Sequence, residues 1–333
     1  MTSRAGRTTI VDVARAAGTS VSSASVALRG EPGVSAQTRE RILAAARRLG
    51  YRPDRQASLL RRREPRVLGV TFSVEQTFHG DLVENLYRAA DASGYDLVLS
   101  AKTAGRPESR AVDNLLRDRC GPLILIAPEL PRDALAQLAA RTPVVTIGSD
   151  APAEGVDSVH SDDRQGVTDA VAHLVGLGHR RIAYVDGGTA VMSATRSDAY
   201  VRTMREHGLD GHVRVISGAP TEESGIEVAS VLLDGDEPLP TAILAHNDLI
   251  AVGLLLTLRS RGVRVPADVS VVGYDDTRTA ALAAVRLTSV SQDAAELARR
   301  AVERATTRGD DPAQQIVTPA RLVVRDTTAP PGR

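Results

Sequence analysis

Apolar positions in the first fifty residues recur at helical spacing. Thr9 stands where an N-cap belongs, with Asp12 three residues later in capping-box register. Ile10, Val13, Ala14 and Ala17 then share one helix face, and Gly18 stops the helix. Ser20 caps a second short helix over 21–28, which ends before Gly30. Ser35 caps a third, on which Ile42, Leu43, Ala46 and Leu49 face inward ahead of Gly50. Two short helices joined by a tight turn containing glycine predict a helix-turn-helix, whose second helix enters a DNA major groove. The third helix supplies core that the first two cannot make alone.

The pattern changes after residue 50. Arg52-Pro53 breaks the helix, and Asp54 caps a short one running through Leu60, before Arg61, Arg62, Arg63 and Pro65. A helix of about eight residues is unstable alone in water, so this one forms only when something pairs with it. From residue 66 onward, largely apolar runs at 67–72, 97–99, 123–126, 144–147, 182–185, 213–216, 242–245 and 270–274 predict strands. They alternate with helical stretches at 82–92, 111–117, 166–177, 198–207, 225–233 and 249–261. Short, largely apolar strands between helices predict parallel sheets covered on both faces, here two doubly wound lobes. Ligand is then expected at the carboxyl ends of the strands. The predicted organisation is an all-α helix-turn-helix head over 1–50, a hinge helix and linker over 51–65, and an α/β effector-binding core over 66–333.

Charge supports a nucleic-acid role for the head alone. The chain is formally neutral, but residues 1–65 hold 13 Arg against 5 Asp or Glu, a net +8, and the remainder is −8. A basic head on an acidic body is expected when only the head meets phosphates. No apolar run approaches the roughly 18 residues of a membrane span, and the N-terminus lacks the apolar segment of a secretory signal. The single cysteine, Cys120, reads as core filler beside Gly121-Pro122. A cytoplasmic protein without a membrane partner fits these features. Lys102 is the only lysine, which reads as a composition bias.

Enzymatic signatures are missing: no nucleophile elbow, no phosphate-binding loop and no metal-spaced His or Cys cluster. The carboxylate pairs Asp162-Asp163 and Asp275-Asp276 read as caps and ligand acceptors. No catalytic role, cofactor or metal is expected. A solute receptor for transport would share the core, but it needs export or an anchor and leaves the basic head unexplained.

The N-terminal segments, taken together, resemble the LacI (lactose repressor) family. They are Thr-Thr-Ile-Val-Asp-Val-Ala-Arg-Ala-Ala-Gly at 8–18, Ser-Val-Ser-Ser-Ala-Ser-Val-Ala-Leu-Arg-Gly at 20–30, Val-Ser-Ala-Gln-Thr-Arg-Glu-Arg-Ile at 34–42 and Leu-Gly-Tyr-Arg-Pro at 49–53. The resemblance implies that Val21, Ser22 and Val26 face base edges, and that Ser20, Ser23 and Ser25 contact phosphates or support the helix. Thr9, Arg29 and Arg55 complete the implied DNA-contacting set. Many family members carry Arg in place of Val26 and Asn in place of Arg29. Valine cannot hydrogen-bond guanine but packs on a thymine methyl, so the family's base preference does not transfer directly. Leu60 matches a leucine that wedges into the minor groove from a paired hinge helix, and Ala57 matches the small residue that lets two such helices approach.

The resemblance continues through the core. His-Leu-Val-Gly-Leu-Gly-His-Arg-Arg-Ile-Ala at 173–183 looks like the family's second-lobe opening, and Leu-Thr-Ser-Val-Ser-Gln at 287–292 like a crossover. Asn247-Asp248 ends one strand and Val-Gly-Tyr-Asp-Asp another at Asp276. A periplasmic-binding-protein-like fold is implied, with crossovers near 162, 290 and 320. Lobe 1 covers about 66–161 and 291–319, and lobe 2 about 162–290 and 320–330. Phe78 and His79 match an aromatic pair lining the cleft, although His79 itself departs from the aromatic usual there. Arg196, four before Tyr200, matches a ligand-gripping arginine, and Asn247 and Asp275 match hydroxyl-binding residues. Such polar groups beside an apolar wall suit a sugar or related polyol. Gly148 stands where the family usually has Asp, and nearby Asp150 is two residues out of register. The implied protein is a repressor: a homodimer on pseudo-palindromic double-stranded operator DNA, controlled by a small polar effector.

Overall fold

The computed structural model describes residues 8–28, 30, 32–51, 66–150, 153–309 and 311–332. The chain divides into two compact units, Met1–Pro65 and Arg66–Arg333. The hinge positions Arg55, Ala57 and Leu60, and Arg29 in the head, lie outside the described residues.

The head holds α1 (Ile10–Ala16), α2 (Val21–Leu28) and α3 (Ala36–Arg48). Thr9 and Asp12 form the reciprocal capping box, and the Ser20 and Ser35 hydroxyls accept from the backbone amides of Ser23 and Thr38. The core of the head is Val13, Ala14, Ala17, Ala24, Ala27, Ile42, Ala45 and Ala46. Its many alanines let three short helices pack closely. Leu43, expected inside, is exposed at 37%. At about 100° per residue, positions 42, 45, 46 and 49 form the inward stripe, and Ala45 takes the place assigned to Leu43.

The second unit carries two six-stranded sheets. Along its chain run β1 (Val67–Ser73), α4 (Thr77–Ala92), β2 (Asp96–Lys102), α5 (Glu108–Arg117), β3 (Leu123–Ile126), α6 (Arg132–Ala139), β4 (Val144–Ile147) and β5 (Asp157–Ser161). Then follow α7 (Asp163–Gly176), β6 (Ile182–Val185), α8 (Ser193–Glu206), β7 (Arg214–Ile216), α9 (Glu222–Asp234), β8 (Ala242–Ala245), α10 (Asp248–Ser260) and β9 (Ser270–Asp275). Last come β10 (Thr288–Ser291), α11 (Ala294–Thr307), β11 (Gln315–Thr318) and β12 (Arg321–Val323). The first sheet has strand order β11-β5-β4-β3-β1-β2, and the second β12-β10-β9-β8-β6-β7. Every pairing in the first sheet is parallel. In the second, only β12 runs antiparallel, against β10.

Sequence-adjacent elements lie in different lobes at three places. Ser161 ends β5 in the first sheet and α7 opens in the second lobe. Ser291 ends β10 in the second sheet, and α11 packs with Leu82 and Leu86 of α4 in the first-lobe core. Between Thr318 and Arg321 the chain passes from β11 back to the second sheet. β5 gives no apolar signal, since its residues are Asp-Ser-Val-His-Ser, yet all are buried. Arg304 Nε and Arg308 Nη1 reach the buried Asp157 carboxylate at 2.7 and 3.1 Å, which holds that polar strand in the interior.

Candidate functional site

The carboxyl ends of both sheets face one another across a cavity of about 290 Å³. Parallel strands open a crevice there because successive connections depart to opposite faces. From the first lobe come Ser73 at the end of β1, Lys102 at the end of β2, Ile126-Ala127 after β3 and Ile147-Gly148 after β4. From the second come the 189–192 loop, His246-Asn247 after β8 and Asp275 at the end of β9. All five predicted effector-contacting residues, Phe78, His79, Arg196, Asn247 and Asp275, line this one cavity.

Arg196 lies buried in the first turn of α8. Its Nε donates to Asp163 Oδ2 at 2.6 Å and its Nη1 to the His246 carbonyl at 2.7 Å. The guanidinium stacks 3.6 Å from the Tyr274 ring centroid. The other Asp163 oxygen accepts from Ser161 and, at 3.0 Å, from the Tyr274 hydroxyl. Arg196 is therefore held rigidly, with part of its fork still on the cavity wall.

Asp275 adopts φ +108°, a backbone region that strongly disfavours non-glycine residues. It caps no helix. Gln292 Nε2 donates to its Oδ1 at 2.6 Å, joining the end of β9 to the crossover after β10. Burial pushes its carboxyl up to about 8. Arg196 opposes that rise and Asp248 adds to it, so the protonated form of Asp275 is favoured. Asp248 is raised to about 6 by burial, against hydrogen bonds from Ser289 and Thr277.

Asn247 has two roles. Its Oδ1 caps α10 by accepting from Ile250 N at 3.0 Å, and its Nδ2 lies 3.4 Å from both Gln76 Oε1 and the Pro220 carbonyl. On the opposite wall, His79 Nδ1 accepts from the Ser73 amide at 3.0 Å. Burial, with the Lys102 charge adding to it, holds the imidazole down to about 3. The ring is thus neutral with its proton on Nε2, a donor. Phe78 and Leu82 are buried beside it and supply apolar wall.

Gln76, Lys102 and Gln292 also line the cavity, and no motif marks them as pocket residues. Gln292 lies in the 287–292 segment that resembles a crossover, and Lys102 is distinguished in the sequence only as the sole lysine. Gly148 has φ +75°, and a Cβ built there meets nothing within 4 Å, so the place of the family's usual Asp is open space. Asp150 does not line the cavity. Its Oδ2 accepts from Thr195 at 2.6 Å, bridging the two lobes. Further bridges are Gln76 Nε2 to the Pro220 carbonyl at 3.0 Å and Arg278 Nε to Asp81 at 2.9 Å.

In the head, Thr9, Ser20, Val21 and Ser22 are exposed, and Ser23, Ser25 and Val26 are half-buried. The Ser20 and Ser23 hydroxyls lie 2.9 Å apart, so both support the start of α2. Val26 stands outside the core cluster of the head. Among the described residues no group of His, Cys, Asp or Glu could hold a metal, and no helix is long and apolar enough to cross a membrane.

Residues 9–54 match the family described as "Bacterial regulatory proteins, lacI family", and residues 171–328 match the "Periplasmic binding protein-like domain". HTH-type transcriptional regulator DegA of Bacillus subtilis (strain 168) is 31% identical over 335 residues, covering 97% of this chain and 99% of its own. A LacI transcriptional regulator from a Rhodococcus species is 43% identical, with a TM-score of 0.78 over 80% of this chain and 100% of that one. The lac repressor dimer bound to operator is 30% identical, with a TM-score of 0.79 over 97% and 100%. The regulator CelR in complex with cellobiose is 28% identical, with a TM-score of 0.70 over 96% and 100%.

Proposed function

We propose, from the premise that the chain belongs to the LacI family of bacterial regulatory proteins, that this transcriptional regulator is a repressor whose operator affinity is set by a sugar or related polyol bound between its lobes. Val21, Ser22 and Val26 read base edges, Thr9, Ser20, Ser23 and Ser25 hold the phosphates, and Arg29 and Arg55 add charge. Leu60, with Ala57 beside it, wedges the minor groove. Two copies act together, because a dyad-symmetric operator needs two heads. The protein works in the cytoplasm, where its DNA lies.

The observation that carries the effector half is the convergence of polar groups from both lobes on one cavity. His79 Nε2 offers a donor, the protonated Asp275 a donor and an acceptor, Asn247 an amide, and Phe78 an apolar face. A ligand touching both walls stabilises the closed state, as Gln76, Arg278 and Thr195 already do by bridging the lobes. Closure changes the spacing of the first lobes in the dimer and so the pairing of the hinge segments. Coupling is reciprocal: an effector that weakens operator binding by some factor is itself weakened by operator by the same factor.

The test is a thermal-shift screen of sugars and polyols on the full-length protein, followed by operator titrations with each hit. The expected result is a ligand that raises the melting temperature and changes operator affinity. A ligand that binds the cleft with no effect on operator affinity would overturn the coupling.

A further inference from the structure

Of the 41 basic side chains in this protein, all but one are arginine, and the exception is buried on the wall of the cleft. A sequence that uses arginine almost everywhere retains lysine where the larger planar guanidinium does not serve. The Lys102 side chain, 4% exposed, donates to the Ala127 carbonyl and lies 3.0 Å from Glu129 Oε1 and 3.9 Å from Glu108 Oε1. Glu108 is already occupied by neutral donors. Thr71 reaches its Oε1 at 2.9 Å, and the Glu129 and Leu130 amides reach its Oε2 at 2.6 and 3.1 Å. The nearer counter-charge of Lys102 is therefore Glu129, whose side chain is 65% exposed.

The remaining charged groups of the cavity leave Lys102 as the cation open to exchange. Arg196 already gives its Nε to Asp163 and its Nη1 to the His246 carbonyl, which leaves only part of its fork toward the cavity; burial favours the protonated form of Asp275, His79 is neutral and Glu75 is exposed. Glu129, 65% exposed, is well solvated once turned out into water, and the arriving anion takes over as counter-charge to the buried ammonium. An anion arriving inside the cavity would meet the same ammonium with less screening than Glu129 has at the wet rim.

We propose that the cleft selects a small polyol bearing one anionic group, a carboxylate or a phosphate ester, and that Lys102 reads this group in the place now held by the Glu129 carboxylate. The inference rests on the effector reading of the cleft and narrows its ligand class.

The test compares matched probes on the full-length protein by calorimetry and thermal shift: gluconate, glucuronate and galacturonate, glucose 6-phosphate, and neutral glucose and galactose. The expected result is that an anionic probe binds about tenfold or more tightly than its neutral counterpart, and that Lys102→Met removes this preference. Glu129→Gln, at an exposed position, should tighten the anionic probe severalfold by removing its competitor. The carboxylate and phosphate arms identify which anion is read. Neutral probes binding as tightly as anionic ones, or a preference that survives Lys102→Met, would overturn the proposal. If Lys102→Met does not fold, unchanged anion affinity in Glu129→Gln overturns it instead. If no probe of either kind moves the melting temperature, the sugar reading of the cleft falls, and this inference with it.

Discussion

Replacing Arg196 with methionine separates its two roles. In the wild type its guanidinium neutralises Asp163, which is 2% exposed, and satisfies the His246 carbonyl. The variant keeps the Ser161 and Tyr274 hydroxyls on one Asp163 oxygen and leaves the other without its charged donor. Breaking a buried pair on one side costs roughly 3–5 kcal/mol. For a unit of this size each kcal/mol lowers the melting temperature by about 2–4 °C, so a fall of roughly 6–20 °C is expected. Adding Asp163→Asn removes the stranded charge, and the double variant should regain most of the loss, with a coupling near the upper end of the roughly 0.5–3 kcal/mol seen for contacting residues. Effector response should stay absent in both, because the guanidinium facing the cavity is gone in both. Chemical denaturation measures the first effect, and operator titration with a cleft ligand measures the second. A single variant as stable as wild type refutes the structural role, and a double variant that responds at the wild-type effector concentration refutes the ligand role.

Other outcomes follow from the same groups. Asp275→Ala should abolish the effector response while operator affinity without effector stays near wild type; a response at unchanged effector concentration would make Asp275 purely structural. Stability should peak near neutral pH. On the alkaline side the folded state keeps a proton on Asp275 up to about 8 that the unfolded chain releases near 3.8, so stability falls as pH rises through 8, a limb that Asp275→Asn should remove. On the acid side His79, His173, His179 and His246 are all held below 6.5 by burial, so the unfolded chain takes up these protons first. This uptake works against the folded state as pH drops through 6.5, opposed by the protons that the folded state holds on Asp275 and Asp248; urea midpoints across pH 5–9 test both limbs. Leu60→Ala should weaken operator binding by about 1–3 kcal/mol and leave cleft-ligand affinity unchanged, with equal operator affinity as the refuting result. Log operator affinity should fall with log salt by roughly 0.9 per contacted phosphate, and a flat response would deny the head its DNA role.

Local pattern determined much of this protein. Caps at Thr9, Ser20 and Ser35 and glycines at 18 and 50 delimit the head helices, because capping is a contact between residues three apart. Strands such as Leu123–Ile126 and Val144–Ile147 announce themselves as apolar runs, because both faces of a parallel sheet are dry. The charge split between the halves and the motifs at 8–53 carry the regulatory reading, and five motif positions converge on one cavity.

Other features depend on residues far apart in the chain. β5 is a polar segment that the sequence disguises, since Arg304, Arg308 and the Gln314 amide, about 150 positions away, make burial of Asp157 tolerable. Leu43 looked interior until packing gave Ala45 that place. The proton on Asp275, the neutrality of His79 and the commitment of Arg196 to Asp163 are properties of burial and distance, which no single stretch of sequence encodes. Lys102 shows the division most plainly. In the sequence it is an isolated lysine among arginines, and only the meeting of strand ends sets its ammonium on the cleft wall opposite a surface carboxylate.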